Sequence, residues 1–227
     1  RKLCFGSRKN QLKKALSLRE ILSLRNVTFE NLIKYPDISI NACEATFIVG
    51  ESGCGKSSLL KLFNATVSNS SGEIFYNGKS ILEIDTIKLR REVLLVSQNI
   101  FLFDNTIEEN FKEYYSYLEK ELISKDKIKE YIDLCRIDFP INADCTLMSG
   151  GERQRVFIAI CLSLMPKVIM LDEPTSALDE KTSDEMLLNI KNFCKSHDIT
   201  LLVVSHDKSL TEKYADNVIT LERDAKQ

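Results

Sequence analysis

The feature that most constrains this chain is a glycine-rich loop, Gly50 to Ser57, between an apolar segment and a segment with helical periodicity. The loop reads Gly-Glu-Ser-Gly-Cys-Gly-Lys-Ser, which has the spacing GxxxxGK followed by Ser or Thr. Ala45 to Val49 has the composition of a buried strand, and Lys56 to Ala65 places its large apolar side chains on one helical face. A strand, a tight loop and a helix in this order predict an α/β domain.

The chemistry of this loop is suited to binding phosphate groups. Its glycines let successive backbone N–H groups turn toward an anion, and the following helix adds partial positive charge at its N-terminus. Lys56 supplies a cation for the β- and γ-phosphates, and the Ser57 hydroxyl can bind Mg²⁺. The residues predicted to bind the nucleotide are Gly50, Glu51, Ser52, Gly53, Cys54, Gly55, Lys56, Ser57 and Ser58. We therefore expect the chain to bind a nucleoside triphosphate.

A second feature is an apolar strand, Val168 to Asp172, that ends in two adjacent acids. Ionised carboxylates at the edge of a core are costly unless they are paired, and a neighbouring Mg²⁺–phosphate would pair them. We expect Asp172 to hold the metal and Glu173 to orient and activate the attacking water. The plainer interpretation is that these acids only cap the helix that follows.

A third feature is the small-residue loop Ser149-Gly150-Gly151, which opens another predicted helix. Ser149 followed three residues later by Glu152 has the pattern of a capping box. The first loop already holds one set of phosphates, so the second loop is expected to serve the nucleotide of a neighbouring copy. Both interpretations can hold together.

The remaining pattern alternates strands with helices. Thr200 to Ser205 is another continuous apolar strand, and helical patterns cover about 180–196 and 207–215. Residues 105–137 and 151–165 are also helical in pattern, so we expect an inserted helical lobe at about 100–165. Residues 1–20 carry a net charge of +6 and are predicted to be a basic lead-in or linker, with attraction to an acidic membrane surface as the alternative.

Composition limits the classes of function. The 227 residues carry a net charge of −2, so a protein held to nucleic acid mainly by its charge is not expected. No apolar stretch approaches the ~20 residues of a membrane span. The 7 cysteines include no CxxC pair and favour a reducing compartment over a zinc site or a disulfide framework.

Together these motifs resemble the nucleotide-binding domain of ABC transporter ATPases, over roughly Leu22 to Glu222. The resemblance assigns Gly50 to Ser58 as Walker A, Gln98 as the Q-loop residue, Ser149 to Glu152 as the signature, Val168 to Glu173 as Walker B, Ser176 to Asp179 as the D-loop and His206 as the switch histidine. The implied fold is a P-loop NTPase (RecA-like) core with an antiparallel β subdomain and an inserted α-helical subdomain. The implied domain covers 21–227.

The resemblance also implies a mechanism. ATP and Mg²⁺ would lie between Walker A of one copy and Ser149, Gly150, Gly151 and Glu152 of a second copy in a head-to-tail dimer, with Asp179 in the D-loop nearby. The implied catalytic residues are Glu173, His206 and Gln98, and the implied metal ligands are Ser57, Gln98 and Asp172. Transmembrane permease subunits or domains would be the further partners, at the cytoplasmic face of the membrane. A soluble ABC-type ATPase not coupled to transport is the alternative.

The sequence departs from the family pattern in two places. The signature reads Met-Ser-Gly-Gly-Glu, so Glu152 adds a negative charge where the family usually has Gln. The aromatic residue that usually stacks on adenine after the first strand is missing, and Tyr35 is the nearest candidate. Both a stand-alone ATPase subunit and a domain cut from a fused exporter stay open, with a slight preference for the stand-alone subunit.

Overall fold

Two sheets of different kinds organise the chain, which we describe from a computed structural model covering residues 19–222. The antiparallel sheet contains β1 (Glu20–Phe29), β2 (Ile33–Lys34), β3 (Ile38–Asn41), β5 (Ser71–Tyr76) and β6 (Lys79–Ser80). The parallel sheet contains β4 (Ala45–Gly50), β7 (Val93–Val96), β8 (Val168–Asp172), β9 (Thr200–Val204) and β10 (Asn217–Leu221), in the spatial order β10-β4-β9-β8-β7. The basic lead-in predicted at 1–20 falls almost entirely outside the described residues.

Seven helices lie between the strands in residues 19–222. They are α1 (Lys56–Phe63), α2 (Thr86–Glu92), α3 (Ile107–Tyr117), α4 (Lys125–Leu134), α5 (Gly150–Ser163), α6 (Glu180–Ser196) and α7 (Lys208–Tyr214). Short 3₁₀ turns cover Ile81–Glu83 and Cys145–Leu147. Because α3, α4 and α5 all lie between β7 and β8, they form one helical group inserted between two neighbouring strands of the sheet.

Side-chain alternation along β4 divides the core into two clusters. Phe47 points to the side where Phe111 of α3 and Ile158 of α5 are buried, and its neighbour Ile48 points to the side where Leu24 and Leu59 are buried. Successive side chains of a strand point to opposite faces, so one strand supports both clusters. Every residue of β8 and β9 is buried, as expected for strands covered on both faces.

The structure confirms the predicted α/β class, with its antiparallel β sheet and helical insertion, and corrects several element bounds. The helix predicted for 56–65 ends at Phe63, and the helical stretch predicted for 105–137 is two helices, α3 and α4. Glu119 adopts φ 54° just after α3, and a chain in that left-handed conformation cannot continue a right-handed helix. The sequence patterns did not indicate α2 or β10. The domain limits 1–20 and 21–227 stay predictions.

Replacing Phe47 with Ala tests the central position of β4. Phe47 is fully buried, so the lost contacts and the cavity should cost about 3–5 kcal/mol of the free energy of unfolding. Val218 of β10 lies opposite Phe47 in the strand register but is 51% exposed, which makes Val218→Ala a matched control costing less than about 1 kcal/mol. Urea unfolding followed by circular dichroism measures both, and equal losses would contradict the assigned core.

Candidate functional site

The predicted site residues meet at the carboxyl edge of the parallel sheet. Ile48 of β4 and Asp172 of β8 both pair with Val204 of β9, so the ends of these strands lie side by side. The loop after β4 begins at Gly50, the acids follow at the end of β8, and His206 comes two residues after the end of β9. Parallel strands bring all of their carboxyl ends to the same edge, which is where α/β folds bind ligands.

The glycine-rich loop is held in its shape by close packing. Gly55 adopts φ +95° at the N-cap of α1, a conformation that L side chains rarely adopt. A Cβ atom there would lie 2.7 Å from the Tyr35 hydroxyl oxygen and 3.1 Å from Ile33 Cδ1, so the position has no room for a side chain. Tyr35 itself is buried and its hydroxyl donates a hydrogen bond to the Gly55 carbonyl at 2.9 Å.

This contact decides the role of Tyr35. Burial raises the pKa of the Tyr35 hydroxyl, which therefore stays a hydrogen-bond donor at ordinary pH. A buried ring that supports the loop from below is not exposed for stacking on a nucleobase. No pattern in the sequence predicted that Tyr35 supports the loop, because the residues near Tyr35 do not indicate on which side of β2 its ring lies.

The Lys56 ammonium group lies across the loop. Lys56 is buried, and its Nζ donates to the carbonyl oxygens of Gly50 at 2.9 Å and Glu51 at 2.8 Å. The buried Cys54 thiol lies 4.0 Å from the same Nζ atom. In contrast, the side chains of Glu51 and Ser52 are exposed, and Ser57 and Ser58 are partly buried at the start of α1.

Asp172 is the one carboxylate of this edge that lies inside the protein. The residue is 4% exposed, and its Oδ1 atom has no hydrogen-bond partner within the described chain. Burial raises the pKa of Asp172, and a hydrogen bond from the Ser57 side chain opposes this to a smaller extent. A buried, unsatisfied carboxylate oxygen is costly, and it fits a site that receives a cation.

The donor set is suited to Mg²⁺. Carboxylate and hydroxyl oxygens are the hard ligands that Mg²⁺ prefers, and Asp172 and Ser57 supply one of each. Within residues 19–222 no group of three or more His, Cys, Asp and Glu side chains could hold a metal ion.

Glu173 and His206 form a pair beside Asp172. The Glu173 Oε1 and His206 Nε2 atoms are 2.8 Å apart, and both side chains are partly exposed. Glu173 adopts φ 52°, and its N–H donates to the Val204 carbonyl at 3.0 Å, so the turn after β8 is tied to the end of β9. A cavity of about 390 Å³ opens at this pair and is lined by Glu173, Thr175, Ser176, Ser205, His206 and Asp207 among others.

Gln98 is the predicted site residue with the least defined surroundings. It follows β7, two residues after Val96, which pairs with Leu171 of β8. That position lies at the same edge of the sheet as Asp172, but the Gln98 side chain is exposed. The structure therefore brings Gln98 to the edge without a contact that fixes its amide.

The predicted signature residues lie at the start of α5, in a capping box. The Ser149 Oγ atom accepts a hydrogen bond from the Glu152 N–H at 3.3 Å, and the Ser149 N–H donates to Glu152 Oε2 at 2.7 Å. In residues 19–222 no hydrogen bond or ion pair joins 149–152 to the loop at 50–58. Hydrogen bonds and ion pairs therefore do not join these two loops of the same chain into a single pocket.

The predicted D-loop packs directly against this helix end. A Cβ atom at Gly151 would lie 3.1 Å from the Ala177 Cβ, so glycine allows the close approach. Asp179 caps α6, where its carboxylate accepts from the Thr182 N–H at 3.0 Å, and this hydrogen bonding lowers the pKa of Asp179.

Arg153 makes contacts that the sequence patterns did not predict. Its guanidinium donates to the Cys145 carbonyl at 2.8 Å and to the Leu102 carbonyl at 3.2 Å. These bonds tie the start of α5 to the segment that follows Gln98. Because both acceptors are backbone carbonyls outside α5, no sequence pattern could have predicted these contacts of Arg153.

The chain is similar to ATP-binding proteins of one large family. Residues 33–176 match the family described as ABC transporter. The spermidine/putrescine import ATP-binding protein PotA of Mycoplasma capricolum is 32% identical over 209 residues, which are 88% of this chain and 58% of that protein. The probable iron export ATP-binding protein FetA of Escherichia coli is 31% identical over 209 residues, which are 89% of this chain and 91% of that protein.

Solved structures share the fold. The structure of cbiO1 from Clostridium perfringens, part of the ABC transporter complex cbiONQ, has a TM-score of 0.77 and 26% identity, covering 90% of this chain and 86% of that one. A dimeric ATP-binding cassette in a post-hydrolysis state, bound to ADP and Pi, has a TM-score of 0.77 and 25% identity, covering 90% and 97%. The chain spans 58% of the length of PotA, the first of these relatives. No helix among residues 19–222 is long and apolar enough to cross a membrane.

The buried carboxylate gives a pH-dependent prediction for the protein without metal or nucleotide. Because the folded pKa of Asp172 is raised, ionising it costs stability above the folded pKa, and this cost disappears below the ordinary value of 3.8. Asp172→Asn should therefore raise Tm at pH 7, with a gain that shrinks toward pH 4.

The control for this experiment has the opposite sign. The pKa of Asp179 is lowered from 3.8, so Asp179→Asn should lower Tm throughout pH 4 to 8, because the contribution of this carboxylate is lost only below that range. Thermal melts in chelator at pH 4 to 8 measure both variants. A lower Tm for Asp172→Asn than for the parent at pH 7 would contradict the unsatisfied carboxylate.

Proposed function

The chain belongs to the ABC transporter family as one of its ATP-hydrolysing domains, and we propose that it binds ATP and Mg²⁺ at the edge formed by β4, β8 and β9. The single observation that carries this proposal is the juxtaposition of a buried, unpartnered Asp172 Oδ1 with the Glu173–His206 pair, beside a phosphate-type loop. A nucleotide and a cation bound between these groups would give each of them a chemical role.

ATP binding is assigned to the loop Gly50 to Ser58. The Lys56 ammonium group exchanges its bonds to the Gly50 and Glu51 carbonyls for bonds to the β- and γ-phosphates. This exchange replaces two neutral acceptors with charged ones, so the attraction between the ammonium group and its acceptors becomes stronger. The N-terminus of α1 adds partial positive charge at the same place.

Ser57, Asp172 and Gln98 are assigned to the cation. Mg²⁺ bound there would neutralise charge on the phosphates and thereby lower the barrier to attack by water. The Asp172 Oδ1 atom, which has no partner of its own, gains one in that complex. Gln98 is proposed to turn its exposed amide toward the same ion and the attacking water.

Glu173 is assigned as the general base. Its carboxylate accepts the proton of the attacking water as the water oxygen forms a bond to the γ-phosphorus and the bond to the β,γ-bridging oxygen breaks. The 2.8 Å contact with His206 Nε2 orients that carboxylate, and His206, whose side chain is partly exposed, is assigned to contact the γ-phosphate as well. His206 thus holds the base and the phosphate in one geometry.

A second copy of the chain is assigned to complete the site. Gly150 and Gly151 offer N–H groups at the start of α5, next to Ser149, and residues 149–151 share no hydrogen bond or ion pair with residues 50–58 among the described residues. In a head-to-tail dimer they would bind the γ-phosphate held by the other copy, with Asp179 near the shared interface. The dimeric ATP-binding cassette with ADP and Pi supports this arrangement by its similarity.

Coupling to a membrane protein is the remaining part of the proposal. The relatives include an import and a probable export ATP-binding protein, so similarity favours a transport ATPase without giving a direction. Transmembrane permease subunits or domains are the proposed partners, which would hold the chain peripherally at the cytoplasmic face of the membrane. A soluble ABC-type ATPase that is not coupled to transport is the second candidate.

Glu173→Gln tests the assigned base. The amide keeps the size of the side chain but cannot accept the water proton, so the ATPase rate should fall by about 10²–10⁴-fold while ATP binding is retained. The expected product is an ATP-bound dimer that persists on size-exclusion chromatography. Turnover at the parental rate would remove Glu173 from its assigned role.

Lys56→Ala tests the phosphate contact. Loss of the ammonium group should raise the Kd for ATP at least about tenfold, measured by isothermal calorimetry. Lys61→Ala is the matched control, because Lys61 is a cation in the last turn of the same helix. Equal losses for the two variants would mean that net charge, rather than the Lys56 position, determines binding.

A further inference from the structure

Glu152 places a carboxylate within the loop that the proposed function assigns to a phosphate. Its Oε2 atom accepts both the Ser149 N–H and the Ser149 Oγ–H, each at 2.7 Å. The Ser149 Oγ atom in turn accepts the Glu152 N–H at 3.3 Å. The single hydroxyl proton of Ser149 is therefore directed into its own chain, and only lone pairs of Oγ remain for an approaching ligand.

The negative charge of Glu152 persists and is not matched by the neighbouring cation. Hydrogen bonds from Ser149 lower the pKa of Glu152, so the carboxylate is ionised at neutral pH. Arg153, the next residue, uses its guanidinium on the Cys145 and Leu102 carbonyls. The charge of Arg155 also lowers the pKa of Glu152, but by less than the hydrogen bonds from Ser149 do.

We propose that Glu152 is a positioning residue that weakens the hold of Ser149 to Gly151 on the γ-phosphate of the second copy, an inference that rests on the proposed dimeric site. For Ser149 to donate to the phosphate, its hydroxyl must first leave the charged Glu152 acceptor, so the new bond adds less stability than it would for a hydroxyl that is free to donate. The carboxylate and the phosphate also repel one another at short range. The two copies in the ATP-bound dimer consequently bind one another less tightly than they would without the Glu152 charge, and they separate readily after hydrolysis.

The chain contains a second capping box that supplies a matched control. Thr106 caps α3, and its Oγ1 donates to Glu109 Oε2 at 3.0 Å while accepting the Glu109 N–H at 3.2 Å. The chemistry is the same as at Ser149 and Glu152, but α3 has no assigned contact with a nucleotide. Glu109→Gln therefore reports the cost of weakening a capping box alone.

The experiment measures dimer formation at saturating ATP and Mg²⁺. Glu152→Gln and Glu109→Gln are each made in the Glu173→Gln background, and the dimer dissociation constant is measured by sedimentation velocity. Glu152→Gln should lower that constant by at least about fivefold, because one repulsive charge is removed at each of two nucleotide sites. Glu109→Gln should leave it within about twofold of the Glu173→Gln value.

Salt provides a second test on the same proteins. Screening weakens the repulsion between exposed charges, so raising NaCl from about 0.05 to 0.5 M should tighten the dimer that keeps Glu152 more than the dimer of the Glu152→Gln variant. Equal salt dependence, or a Glu152→Gln dimer that is as weak as or weaker than its background, overturns the inference while leaving the dimeric site intact. Absence of any ATP-dependent dimer in all of these proteins would overturn the proposed dimeric site, and this inference with it.

Discussion

The parallel pairing of β4, β9 and β8 is the constraint on which the rest of the site depends. Because Ile48 and Asp172 both lie opposite Val204, the loop proposed to bind phosphate and the acid proposed to bind the cation each begin within one strand spacing of the turn that carries His206. A shift of one residue in either register would turn Asp172 toward the opposite face of the sheet. The fully buried side chains of β8 and β9 prevent such a shift, so the apolar core fixes the position of the chemistry.

The same register explains why a buried charge is kept. An unpartnered carboxylate oxygen lowers the stability of the metal-free fold, and an apolar residue at position 172 would remove that cost. The cost is offset only in a complex that supplies a cation. Glu173, one residue later, is partly exposed and contacts His206 instead, so the two neighbouring acids have different surroundings, in line with the different roles proposed for them. The start of α5 carries further N–H donors. Within residues 19–222, these donors form no hydrogen bond with the glycine-rich loop of the same chain.

Local patterns in the sequence were sufficient to predict much of the fold and to select residues that the structure brings to one edge of the sheet. The apolar runs of β8 and β9, the glycine spacing before Lys56 and the Ser149–Glu152 box each depend on residues close in sequence, so the α/β class could be predicted. The role of Tyr35 could not, since its hydrogen bond to Gly55 spans twenty residues and depends on how β1 and β2 fold over the loop. The Arg153 contacts with Leu102 and Cys145 escaped for the same reason. Glu119 and the end of α3 show that a single left-handed residue can interrupt a helical pattern that is otherwise continuous.

Everything proposed for the chemistry requires an active site assembled from two copies of the chain. The ATPase rate per chain, measured as a function of protein concentration at saturating ATP and Mg²⁺, tests this requirement. The rate per chain should rise with concentration and then level off as dimers form, because Glu173 of one copy needs Ser149 to Gly151 of another. A rate per chain that is constant from the lowest to the highest concentration, in a protein shown by sedimentation to be monomeric throughout, would contradict a shared site.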